Sequence, residues 1–177
     1  LADPAVAYRV EQAGDYRLEV RDIRYQGNQY WEYCLEISGR PLVETVFPLA
    51  VAAKQAESLE LVGELAGSEP MTRWTVPALT PGIHPTELPL ASGVTNPVSV
   101  IVSDLLLARE SDAANDLAPG AQLVPVPSGI NGRIDREGDV DCFAFEAKKV
   151  EAFSVEIVAR RAQSGLDSTI RILDEKG

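Results

Sequence analysis

The residues best suited to chemistry lie in the run Asn131 to Ala147, NGRIDREGDVDCFAFEA: a glycine-containing turn, an acidic loop and then alternating apolar residues. Its Gly-Asp-x-Asp order sets the carboxylates of Asp139 and Asp141 at the mouth of a predicted strand, where hard-cation ligands are often found. A second acidic cluster, Glu110 to Asp116 (ESDAAND), precedes it. Calcium takes about six to eight oxygen ligands. Glu110, Asp112, Asn115, Asp116, Asp139 and Asp141 offer enough carboxylate and amide oxygen if the lead-in and the loop converge. The competing reading is that these acids form a solvated surface that keeps the chain soluble.

Other chemistry finds less support. His84 is the single histidine and lies in a proline-rich crossing, and no Gly-x-Ser-x-Gly elbow is present, so a nucleophile-histidine arrangement is disfavoured. A glycosidase needs only two carboxylates in a cleft, but with so many acids any chosen pair is arbitrary. Neither a Gly-x-Gly-x-x-Gly nor a Walker pattern occurs, so no catalytic or cofactor-binding residue is assigned. The net charge of −11, with lysines and arginines scattered, repels phosphate backbones and anionic membrane surfaces. No apolar run is long enough to span a bilayer as a helix. Cys34 and Cys142 are too few for a disulfide scaffold or a structural zinc site, and whether they bridge stays open.

The elements that must position the acids read as strands. Tyr16, Leu18 and Val20 alternate with charged residues, as do Trp31, Tyr33, Leu35 and Ile37, and Gln26-Gly27-Asn28 between them favours a hairpin. Tyr30, Trp31 and Tyr33 could form a binding platform, but the shared apolar face of Trp31 and Tyr33 predicts core packing, as for Trp74. Gly39-Arg40-Pro41 marks a boundary. Strands follow at Leu42–Phe47, Ser58–Leu65 and around Trp74, with VAAKQAE as a helical turn or loop. The prolines between 77 and 97 predict a loop crossing or edge strands. Val98–Leu107 is predicted to be a buried strand closing the middle sheet. Further strands are expected at Phe153–Val158 and Ile170–Ile172, with no long helix.

The run from Glu110 to Gly177, with NGRI, GDVDCFAF and SGLDSTIRILDEKG, resembles the bacterial pre-peptidase C-terminal domain, a β-jelly-roll-like module. AGDYRLEVRD and YWEYCLEI in residues 1–38 look like the closing strands of another copy. The resemblance implies closing strands over 1–38, an immunoglobulin-like β domain over 39–108 and opening strands over 109–177, with 1–38 and 109–177 able to complete one composite sandwich. Relatives bind calcium through an acidic lead-in and the Asp-x-Asp region. Carried over by position, Asn115 and Asp116 match the lead-in, and Asp139 and Asp141 match the strand-mouth pair. The family's lead-in glutamates fall here on Ala113 and Ser111, with Asp112 and Glu110 displaced by one, and Cys142 stands where an aromatic is usual.

An all-β fold class is therefore expected, of β-sandwich or jelly-roll-like segments plus a small immunoglobulin-like sandwich. The chain begins at Leu1 and stops after a strand-like STIRIL, as a piece of a longer protein would. The expected function is a non-catalytic accessory, binding or spacer module of an exported bacterial protein: secreted, periplasmic or at the cell surface, stabilised by calcium. Its partners would be other domains of the parent protein and an extracellular protein or polysaccharide, without nucleic acid or membrane insertion. The alternative is a structural or adhesive repeat acting through strand edges or stacked sandwiches, with a hydrolase fragment ranked lower.

Overall fold

A computed structural model of the chain describes residues 5–63, 71–91, 93–111 and 113–174. The fold is all-β: among the described residues, helix occurs only as single 3-10 turns at Ala118–Gly120 and Arg160–Ala162. No helix there is long and apolar enough to cross a membrane.

The packed centre is a two-sheet sandwich in the middle of the sequence. One sheet holds β1 (Thr45–Phe47), β3 (Ala56–Val62) and β4 (Met71–Thr75) in the order β1-β3-β4, all antiparallel. The other holds β2 (Ala50–Ala52), β8 (Val98–Ser103) and β5 (Gly82–Thr86), with β8 between a parallel β2 and an antiparallel β5. Strand period two decides what points inward. Leu59 and Leu61 of β3 and Trp74 of β4 are buried between more exposed neighbours. They meet Val51, Val98, Val100 and Val102 of the second sheet, with Val43, Val46, Val76 and Leu88 completing the core.

Trp74 is 7% exposed, as its alternation predicts. The VAAKQAE segment is neither helix nor plain loop: it carries β2, a turn and the start of β3, since Val51 has a place in the core to fill. The apolar run after Pro97 is a strand, but it is the middle strand of its sheet rather than the closing one; Val98, Ser99 and Val100 are all buried, so both faces need cover. The proline-rich stretch supplies edge strand β5 and the short hairpin of β6 (Pro89–Leu90) with β7 (Gly93–Val94), because proline cannot donate to a central ladder.

Three side-chain amides extend the ladders. Asn96 accepts the Val43 N–H at 2.7 Å and donates to the Val43 carbonyl at 2.9 Å. Asn131 does the same to Ala50, at 2.7 and 3.0 Å. Gln122 accepts from the Ser111 N–H and donates to the Arg109 carbonyl. A primary amide carries one acceptor and two donor hydrogens, so it can satisfy a backbone N–H and C=O as a neighbouring strand would.

The third segment grows from this sandwich. After Asp104 and Leu105 the chain continues as β9 (Leu106–Arg109), which pairs in parallel with β11 (Ser128–Asn131). Next to it β10 (Gln122–Leu123) pairs in parallel with β12 (Phe143–Ala144).

The N-terminal expectation is corrected. No described residue from 5 to 40 belongs to a ladder. The Asp22 carboxylate accepts from the Arg24 and Gln26 N–H groups, and the Asn28 carbonyl and side chain accept from Trp31 and Tyr30, giving two tight turns where a hairpin is predicted. Trp31 is 55% exposed and Tyr33 is also exposed, so neither is core. Alternation prepares a strand to bury one face; burial needs a facing strand, and these runs have none among the described residues. Phe153–Val158 and Ile170–Ile172 likewise carry no ladder, although the Phe145 and Phe153 rings meet edge to face at 5.1 Å.

Candidate functional site: the acidic junction

The lead-in and the loop converge. Glu110 follows β9 directly; its N–H donates to the Asn131 carbonyl and its Oε2 accepts from the Arg133 N–H at 2.9 Å. Asn115 is drawn in by its carbonyl, which accepts from the Cys142 N–H just before β12. These backbone bonds bring the two acidic stretches face to face at a concavity of about 310 Å³, lined among others by Phe47, Glu110, Asn115, Asp116, Arg136 and Asp139. Asp112 lies outside the described residues.

The acids divide into two groups. Asp116 and Asp139 share Arg136, whose Nη2 stands 2.6 Å from Asp116 Oδ2 and 3.1 Å from Asp139 Oδ1. The hydrogen bond and charge of Asp116, then the charge of Asp139, raise the Arg136 pKa above its ordinary value. Asp139 Oδ2 also accepts from the Asp135 N–H. Glu110 and Asp141 instead face each other across Gly132: a Cβ placed on that glycine would stand 3.3 Å from both Glu110 Oε2 and Asp141 Oδ2. Burial, followed by the hydrogen bond and charge of Glu110 and the charges of Asp139 and Asp135, pushes the Asp141 carboxyl up to about 7.

Two buried polar atoms here have no hydrogen-bond partner, Asp141 Oδ1 and Asn115 Nδ2, and Asn115 is only 4% exposed. Leaving such atoms unpaired is costly, so each of the two calls for an explanation. Rotating the Asn115 amide by half a turn would present its oxygen where Nδ2 now stands. The donor set, carboxylate and amide oxygen, suits a hard cation. Among the described residues, however, no group of three acidic, histidine or cysteine side chains is arranged to hold a metal ion. The acids are divided: Asp116 and Asp139 share the single positive charge of Arg136, while Glu110 and Asp141 face each other with no ion pair to either among the described residues.

The site adjoins the middle sandwich. Arg133 bonds Glu60 of β3 at 2.9 Å and stacks 4.2 Å from the Phe47 ring of β1. Arg109 pairs with Glu57 at 2.6 Å and lies 5.9 Å from the same ring. Reasoning from residue types does not single out Arg133, Arg136, Gln122 or Asn131; the one signal for Arg136 is a lone cation inside the acidic loop Asp135–Asp139.

The remaining candidates lie elsewhere. His84 Nε2 bonds the Thr80 carbonyl, and Cys34 and Cys142 are free thiols. Compared with protein-family models, with curated proteins and with solved structures, the chain gives no match.

Proposed function

We propose that the chain is a non-catalytic accessory, binding or spacer β module of a larger exported bacterial protein, with calcium fixing the junction between the middle sandwich and the segment after it. The observation that carries this reading is the meeting of Glu110 and Asp141 across Gly132, with Asn115 tied to the next residue, Cys142, through its carbonyl and with Asp141 Oδ1 and Asn115 Nδ2 buried and unpaired. Glu110, Asn115 and Asp141 would hold the cation, with Asp116 and Asp139 beside them. When bound, calcium supplies positive charge that removes the repulsion between these carboxylates. The Glu110 side chain also accepts from Arg133, which reaches Glu60 and Phe47, so ordering the acids stiffens the connection to the sandwich. The resemblance to pre-peptidase C-terminal modules points the same way.

Thermal unfolding with millimolar calcium, and again with excess chelator, tests the reading. A ligand at one hundred times its dissociation constant adds about 2.7 kcal/mol to the folded state, a shift of several degrees. Glu110→Gln and Asp141→Asn should each remove most of that shift. An unshifted midpoint in the natural chain would reduce the acids to solvated surface.

A second reading, a structural or adhesive repeat, is favoured by one observation. Tyr16, Leu18, Val20, Trp31 and Leu35 at one end, and Phe153, Val155 and Ile157 at the other, expose alternating apolar faces. Pull-down on collagen, chitin and cellulose separates a binding module from a spacer, and the oligomeric state separates both from a self-pairing repeat.

A further inference from the structure

Arg136 stands where an added cation would act. Through one nitrogen it joins the lead-in acid Asp116 to the loop acid Asp139. The two partners differ in their access to water. The Asp139 side chain is only 6% exposed and has Arg136 as its counter-charge, whereas the Arg136 side chain is 58% exposed. A carboxylate withdrawn from water needs a positive partner or a proton, so Asp139 cannot readily do without one. Arg136 can, because its long side chain needs only to turn outward to be hydrated. Beside them, Asn115 lines the same concavity with its buried Nδ2 unpaired.

We propose that Arg136 is a built-in counter-cation: it holds Asp116 and Asp139 together in the cation-free chain, and a hard divalent cation must displace it to use those oxygens. The inference rests on the calcium reading for the natural chain's behaviour, but the role of Arg136 can be tested separately. Displacement subtracts from cation affinity, which sets the site toward the weak, extracellular end of calcium binding, roughly 10⁻⁴–10⁻³ M. It also makes the folded chain tolerant of calcium's absence, since Asp139 is never left without a positive charge.

The experiment compares the natural chain with Arg136→Gln and Arg136→Lys. Melting is followed in chelator and in millimolar calcium, and affinity by terbium luminescence with calcium competition. In chelator, Arg136→Gln should melt below the natural chain. Its calcium-induced rise should be larger and its affinity tighter by roughly fivefold, the scale of one ion pair of unit charges about 4 Å apart in water that the cation no longer has to break. Arg136→Lys, keeping the charge but losing the planar guanidinium, should fall between. A natural chain that ignores calcium beside an Arg136→Gln that responds would support the counter-cation role while sinking the calcium reading of the natural chain. Equal melting in chelator, or equal cation response in the natural chain and Arg136→Gln, would overturn the proposal. Should Arg136→Gln not fold in either condition, Arg136→Lys decides: tighter calcium binding supports displacement and unchanged binding overturns it.

Discussion

Burial, and after it the hydrogen bond and charge of Glu110 and the charges of Asp139 and Asp135, disfavours ionisation of Asp141. An ordinary aspartate ionises near 3.8, and this one, in the folded chain, near 7. Between those values the folded state keeps a proton that the unfolded chain has released, so without calcium stability falls as pH rises from about 4 through 7. Melting in chelator across that range should show the decline, and Asp141→Asn, which cannot ionise, should flatten it. A flat profile in the natural chain would mean that Asp141 is not held in its buried position beside Glu110. The acids themselves are legible in the sequence because carboxylates before a strand are conspicuous. Arg136 is not, since an arginine among acids looks the same whether it is solvated or bridging residues twenty positions apart.

Among elements, β3 and β8 are legible because Leu59 and Leu61, and Val98 to Val102, carry the period and the β-branched content that burial demands. The pairing of β9 with β11, and the amide clasps of Asn96, Gln122 and Asn131, are not. They depend on which distant backbone arrives alongside; Asn131 and Ala50 are 81 residues apart. Asn131→Ala should strip Ala50 of both bonds and cost about 1–3 kcal/mol, two part-buried groups at roughly 0.5–1.5 each, read as a lower denaturation midpoint with unchanged slope. Leu59→Ala, emptying a fully buried site, should cost about 2–5 kcal/mol by the same measurement. A loss under about 1 kcal/mol at Asn131 would make the clasp incidental.

For the molecule as a whole, the sandwich has its own core while the stretches on either side of it present apolar faces to water. Tyr16, Leu18 and Val20 share one face by their spacing, yet alternation specifies the face and not its partner. Such runs, which lie in no ladder among the described residues, invite pairing between chains. Sedimentation should show concentration-dependent association of the natural chain, weakened by Leu18→Lys or Ile157→Lys. A strict monomer at high concentration would argue for the spacer reading alone.

The clasps at Asn96 and Asn131 differ in their C-terminal neighbours: Pro97 after the first, Gly132 after the second. An asparagine side chain ages when the next residue's backbone nitrogen attacks its Cγ, expelling ammonia and leaving a succinimide that water reopens to aspartate or isoaspartate. Proline's nitrogen carries no hydrogen to lose and cannot close that ring, whereas glycine places no side chain in the way. In the folded chain Asn131 is buried with both amide atoms engaged on Ala50, so the reaction has to wait for opening. Each excursion to the unfolded state thus risks a permanent change at the clasp that joins the sandwich to the acidic segment. Peptide mapping after prolonged warming should find aspartate or isoaspartate at position 131 and an intact amide at 96, and the fraction that refolds should fall as the first accumulates.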